Sequence, residues 1–209
     1  MPCNAVIFDV FGTLLKIQHG THPFRQLFRE GLRQGRRPKP SDIHELMTKS
    51  LGIEEAAEFF GISLSSTRIS ELKMLLESEV DGIEPFPDAH DAIALLMDND
   101  IRVGVCSNLA APYGRAVKQI FPNLDGYAFS FELGFIKPNP QIYQAVCSML
   151  GVLPGDVDDA AQRVFMIGDS LSCDCLGPRA VGISGIHLDR GGKGGLRNLI
   201  EFAISAVQQ

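Results

Sequence analysis

The sequence predicts an α/β fold: a doubly wound, Rossmann-like parallel sheet with a small helical cap inserted near its start. Three observations carry this expectation. The first is a short apolar run, Ala5-Val6-Ile7-Phe8, closed by Asp9 and the turn residues Gly12-Thr13. It reads as a strand buried on both faces. The second is the region from about residue 85 onward, where short β-type runs alternate with helical stretches, the pattern of a parallel sheet covered on both sides. The third is the stretch between them, which has helical periodicity and no strand pattern. The 209 residues suffice for one domain with a substantial core and a modest insertion.

The elements follow in order. Phe24, Leu27, Phe28 and Leu32 fall on one helical face. Gly35 to Pro40 breaks that helix. Ser41 is placed to cap a second helix, from Asp42 to about Leu51. Glu54 to Phe60 is a third. Ser70 to Val80 is a fourth, with Leu72, Leu75, Leu76 and Glu79 on one face. Glu84-Pro85-Phe86-Pro87-Asp88 punctuates the return to α/β alternation. Ala89 to Asp98 is helical, and Ile101 to Cys106 is a strand that stops at Ser107-Asn108. A helix from Tyr113 to Ile120, a strand at Tyr127 to Phe129 and a helix from Pro140 to Leu150 come next. Val164 to Ile167 is a strand ending at Gly168-Asp169-Ser170. Asp174 to Val181 is helical, Ile183 to Leu188 is the last strand, and Leu196 to Val207 the closing helix. The division expected is a core of residues 1–15 and 85–209 and a helical cap of residues 16–84.

Composition narrows the function classes. The formal net charge is −6, with 45% hydrophobic and 21% charged residues. That balance argues against affinity for nucleic acid or an anionic membrane, and no apolar stretch approaches a membrane span. No basic region followed by a long apolar core marks a secretory leader, so a cytoplasmic location is expected. The five cysteines, Cys3, Cys106, Cys147, Cys173 and Cys175, suit free thiols in a reducing compartment. Cys173-Asp174-Cys175 is read as small, partly buried residues rather than a soft-metal site. Gly191 to Gly195 lacks phosphate-loop spacing and is read as a flexible connection.

Four polar clusters carry chemistry: Asp9, Ser107-Asn108, Lys137-Pro138, and Gly168-Asp169-Ser170 with Asp174. In an open α/β sheet, strand ends open onto the binding crevice, so all four converge there. Asp9 and Asp169 on separate strands form a hard-oxygen pair suited to Mg²⁺. Asp174 can hold a metal-bound water or orient Lys137. Lys137 screens an anionic substrate from a carboxylate nucleophile. The Ser107 hydroxyl and the Asn108 backbone N–H can donate to oxyanions at a helix start, and the Thr13 hydroxyl can fix the orientation of Asp9.

These motifs, Asp9-Val10-Phe11-Gly12-Thr13, Ser107, Lys137-Pro138 and Gly168-Asp169-Ser170-Leu171-Ser172-Cys173-Asp174, resemble the four motifs of the haloacid dehalogenase (HAD) superfamily in order and strand context. The resemblance covers the core, about residues 1–15 and 85–190. It implies Asp9 as nucleophile, a covalent aspartyl intermediate and its hydrolysis, with Mg²⁺ held by Asp9, the Phe11 backbone carbonyl and Asp169, and Asp174 close by. Most members are Mg²⁺-dependent phosphatases, and a small anionic metabolite is the expected substrate. Typical phosphatases of the superfamily carry a second Asp where this chain has Phe11, whereas its metal-free 2-haloacid dehalogenases carry an aromatic residue there. The retained Asp169 favours the phosphatase; a dehalogenase, or a member that binds a phosphorylated ligand or partner without turnover, are the alternatives.

The remaining candidates have plainer readings. Tyr143 is a packing residue on its helix. Arg25, Arg29 and Arg33 form a solvated stripe, or alternatively a face aimed at an anionic substrate. His19, His22 and Glu84 are read as exposed residues near the cap linkers, the alternative for each being a substitute proton carrier.

Overall fold

The computed structural model describes residues 3–155, 163–192 and 195–208. Its main sheet has five parallel strands in the order β5-β4-β1-β6-β7. These are β1 (Cys3–Phe8), β4 (Arg102–Ser107), β5 (Gly126–Phe129), β6 (Arg163–Gly168) and β7 (Ser184–His187). β1 is central, pairing with β4 on one side and β6 on the other. Its side chains alternate between two apolar layers. Val6 and Phe8 join one, and Ala5 and Ile7 the other, which is why the run is apolar throughout. Helices α5 (Ala89–Met97), α6 (Ala111–Ile120) and α10 (Leu199–Val207) cover the first face; α8 (Pro140–Met149) covers the second.

Between β1 and α5 lie four helices: α1 (Pro23–Arg33), α2 (Asp42–Met47), α3 (Ile53–Phe59) and α4 (Ser66–Asp81). They share an apolar cluster of their own, including Leu27, Leu46, Ile53 and Leu72, with Ala110 at the start of α6. Two strands that sequence reasoning missed flank this insert. β2 (Leu15–Ile17) and β3 (Ile83–Pro85) form an antiparallel ribbon in which Leu15 faces Pro85. Three residues are too few to show a period, so nothing in the pattern marks them.

Other departures are local. Ser41 makes no capping hydrogen bond. The buried Asp42 carboxylate instead takes the Lys39 N–H at 2.8 Å and both Arg36 guanidinium nitrogens at 2.7 Å, and α2 ends at Met47. α4 begins earlier than expected because the Ser65 hydroxyl accepts the Arg68 N–H. The segment expected as helix from Asp174 starts with a π-helical turn, Leu171–Leu176, before the short α9 (Gly177–Arg179). The Gly191–Gly195 connection falls partly outside the described residues. Among those described, no helix is long and apolar enough to cross a membrane.

Candidate active site

Asp9 follows the central strand, and its backbone N–H still donates to Ile167 of β6 at 2.9 Å. The chain then turns back on the Val10 carbonyl, which accepts from Thr13, Leu14 and Leu15. Gly12 sits in this turn with φ of +89°, a left-handed conformation that suits glycine. A Cβ there would lie 2.3 Å from Asp169 Oδ2, so the missing side chain lets the loop after β1 close against the end of β6.

Two groups converge on one oxygen of Asp9. Lys137 Nζ donates to Oδ1 at 2.7 Å and Ser107 Oγ at 3.1 Å. Oδ2 accepts no hydrogen bond from the described residues. Lys137 also donates to Asp174 Oδ1 at 2.6 Å, and the second Asp174 oxygen takes the Ser170 N–H at 2.9 Å. Lys137, Asp9, Asp174 and Ser107 are all buried. Burial alone would push the ammonium of Lys137 down, but Asp9 and Asp174 outweigh it and hold the group charged, well above its usual range.

The lysine is positioned through its backbone. The Asn108 side-chain oxygen accepts the Lys137 N–H at 2.7 Å, while its amide donates to the Lys137 carbonyl at 3.0 Å. The peptide bond from Lys137 to Pro138 is cis. Asn108 therefore does more than the backbone donation expected of it. It also stands on a loop rather than at a helix start, since α6 begins three residues later and the Leu109 N–H is taken by Ser130 Oγ.

Asp169 and Asp174 differ in setting but share a direction. Asp169 is exposed as a residue, but its carboxyl group is partly shielded from solvent, and this together with the neighbouring Asp9 raises its pKa. Asp174 is raised mainly by burial, against the pull of Lys137. Oxygens of Asp9, Asp169 and Asp174 lie within 4.8 Å of one another. Three carboxylates thus face one ammonium, and Asp169 has no ion-pair partner among the described residues. Such a set of hard oxygen donors with surplus negative charge fits a divalent cation such as Mg²⁺.

Thr13 corrects an expectation. It is fully buried, yet its hydroxyl makes no hydrogen bond among the described residues and does not reach Asp9. The turn on the Val10 carbonyl fixes Thr13 by its backbone, and orientation of the carboxylate falls to Ser107 and Lys137. Phe11 packs edge-to-face on Tyr113 of α6, ring centroids 5.9 Å apart. Its backbone carbonyl accepts no backbone hydrogen bond among the described residues. Tyr143 is a core residue as read, but its hydroxyl also donates to the Cys173 carbonyl at 2.6 Å, tying α8 to the π-helical turn that carries Asp174. Cys173 and Cys175 point their thiols at different carbonyls, Lys137 and Gly185, which leaves no paired soft-metal site.

Two groups went unnoticed in the sequence. Glu79 on α4 is 3% exposed and accepts from Tyr113 Oη at 2.6 Å, the His22 N–H at 2.6 Å and Thr21 Oγ1 at 3.0 Å. Asp88 receives both terminal nitrogens of Arg190, at 3.0 and 2.9 Å. Arg190 also donates to the Thr13 carbonyl at 2.6 Å and stacks over Phe86. The one available signal was Glu79 itself, an acid on an otherwise apolar helical face. Its partners are too distant in sequence to find. Of the arginine stripe, Arg33 pairs with Glu30 and Arg25 borders a cavity beside the site. Glu84 is held by Gln18 and Lys16 on the exposed ribbon.

Carboxylates and a buried lysine gathered at the strand ends of a doubly wound sheet, with a helical insert after the first strand, define a Rossmann-like enzyme core. The sequence matches the haloacid dehalogenase-like hydrolases over residues 3–182, and the chain belongs to that family. A HAD phosphatase from Thermococcus onnurineus superposes with a TM-score of 0.66 at 22% identity, over 97% of each chain. A HAD-family enzyme from Bacteroides thetaiotaomicron, in complex with magnesium and inorganic phosphate, gives 0.60 at 19% over 91% of this chain and 96% of that one. An L-2-haloacid dehalogenase gives 0.60 at 19% over 97% and 99%. At these identities the likeness is one of fold. An uncharacterized protein of Saccharomyces cerevisiae is 30% identical over 138 residues, 61% of this chain, and the chain matches 45% of its length.

Proposed function

We propose that this hydrolase is a Mg²⁺-dependent phosphatase of a small phosphorylated metabolite, working through an aspartyl phosphate on Asp9, with residues 16–84 as its cap. The observation that carries this reading is the charge imbalance at the strand ends, three carboxylates against Lys137 alone. Asp9, the Phe11 carbonyl and Asp169 would hold the ion, with Asp174 close by; when bound, it neutralises charge between the carboxylates and a phosphoryl group. In this reading Oδ2 of Asp9 attacks phosphorus, the phosphorus–oxygen ester bond breaks with its electron pair going to the leaving oxygen, and that oxygen departs as an alkoxide or aryloxide that takes its proton from water. Lys137 and Ser107 hold the nucleophile by its other oxygen, and Lys137 offsets the charge of the incoming phosphate. Water then hydrolyses the aspartyl phosphate, returning the carboxylate and releasing phosphate.

Phe11 favours a second reading. It carries no proton for the leaving group, and general acid help is typically worth about 10²–10⁴-fold. A 2-haloacid dehalogenase needs none, because halide departs unprotonated. One assay separates the two. Phenyl phosphate and 2-chloropropionate are each supplied with Mg²⁺ and then with chelator. The expected outcome is phosphate release that requires Mg²⁺ and falls at least about 10³-fold in Asp9→Asn. Chelator-resistant halide release with no phosphate release would establish the dehalogenase. No turnover of either substrate would point to the non-catalytic, ligand-binding alternative.

A further inference from the structure

Beside the carboxylate pocket lies a second cavity of about 290 Å³ between the helical insert and the core. Phe11 and Asn108 line both spaces and form their common wall. The second cavity is framed by three aromatic rings, Phe11, Phe24 and Tyr113, together with Leu46 and Met47. A dry apolar cavity of about 150 Å³ already admits benzene, so one aromatic ring fits with room for a substituent. Ring edges and a thioether are favourable partners for another aromatic ring.

The polar groups in the wall are unequally committed. The Glu79 carboxylate is engaged by three donors, and the Asn108 side chain is spent on Lys137. Arg25, on the exposed side of α1, has no ion-pair partner among the described residues and presents a full positive charge with a planar set of donors. His22 borders the cavity too, and its imidazole makes no hydrogen bond among the described residues.

We infer that the second cavity takes the leaving group, and that this group is an aromatic ring bearing an anionic substituent that pairs with Arg25. The inference rests on the phosphatase reading for the placement of the phosphoryl end at Asp9. It also accounts for Phe11. An aryloxide is a good leaving group and needs little protonation, so a ring rather than an acid can occupy that position. On this account Phe11 is part of the specificity surface.

The test is binding, measured by calorimetry with Mg²⁺ present, of three non-hydrolysable probes: ethylphosphonate, phenylphosphonate and 4-carboxyphenylphosphonate. The expected order is weakest for ethyl, at least about tenfold tighter for phenyl, and a further fivefold to tenfold, roughly, for the carboxylated ring. The last step should vanish in Arg25→Ala, persist in part in Arg25→Lys and reverse in Arg25→Glu. Arg25 is exposed, so these variants are expected to fold, and thermal melting checks it. Equal affinity for ethyl and phenyl probes, or a carboxylate preference that survives Arg25→Ala, overturns the inference. The phosphate esters of the same three groups are assayed in parallel. The expected binding order without any phosphate release removes the hydrolytic reading and leaves the cavity assignment standing.

Discussion

Two pairs of acids in this molecule differ in one respect. Glu79 and Asp88 are structural, and each is surrounded by donors. Burial pushes both carboxyls up, but hydrogen bonds from Tyr113, His22 and Thr21 in one case, and from Arg190 and Leu199 in the other, outweigh it, and both end below their usual range. Asp169 and Asp174, at the strand ends, end above theirs. Their neighbours include more carboxylates than one lysine can offset. A satisfied acid holds the fold together; acids left in deficit keep part of their binding capacity for something that arrives from outside.

The contrast can be broken most severely at Lys137. Lys137→Ala leaves Asp9 and Asp174 buried together without a counter-charge, and a loss of about 3–5 kcal/mol is expected in denaturant unfolding. A loss below about 1 kcal/mol would mean that the two acids are already relieved by solvent or protonation.

A smaller effect is expected at Glu79. Glu79→Gln should cost about 1–3 kcal/mol at neutral pH, since one anionic acceptor of three hydrogen bonds is lost. The folded pKa of Glu79 lies below its ordinary value of 4.5. Its contribution is therefore fully present above that value and fades as pH falls through the folded one. The stability gap between the wild type and Glu79→Gln should be widest near neutrality and shrink in acid. A gap that widened on acidification would show the opposite sign of shift.

The smallest change in stability belongs to Asp169. With no ion-pair partner to lose, Asp169→Asn should move the metal-free melting point by no more than about 0.5 kcal/mol equivalent. What it should abolish is the stabilisation that Mg²⁺ gives the wild type, about 2.7 kcal/mol when the ion is at a hundred times its Kd. An unchanged Mg²⁺ response in the variant would take Asp169 out of the metal set.

One half of this contrast was legible in the sequence because it obeys local rules, and the other half was not. Asp9, Ser107 and Asp169 could be placed since each closes an apolar run that reads as a strand, and parallel strands share one open edge. Lys137 could be placed only by motif order, because it lies on a loop whose course is set by the Asn108 side chain. The structural acids escaped. Asp88 and Arg190 are 102 residues apart and Glu79 finds its partners 34 to 58 residues away, so only the folded chain brings them together. Thr13 failed for a related reason. A hydroxyl four residues after a carboxylate, across a turn, suggests a bond, yet the backbone turn at Val10 decides where the side chain goes. The π-helical turn was equally hidden, since no apolar period marks it, and the docking of Asp174 within it on Lys137 and Ser170 joins residues far apart as well as near.

The ribbon of β2 and β3 has one more consequence. Because Leu15 and Pro85 lie directly opposite each other, the chain leaves the core and comes back to it at nearly one point. The length of the segment strung between those two residues therefore does not set the spacing of the strands on either side of it. The arrangement works as a neck: the insert joins the core through two paired strands, and its further hold on the core comes from side chains such as Glu79 on Tyr113, while β1, β4 and β6 place the carboxylates and Lys137. Two chimaeras that share this core and differ only in the grafted segment would share a chemistry and part company over what they accept.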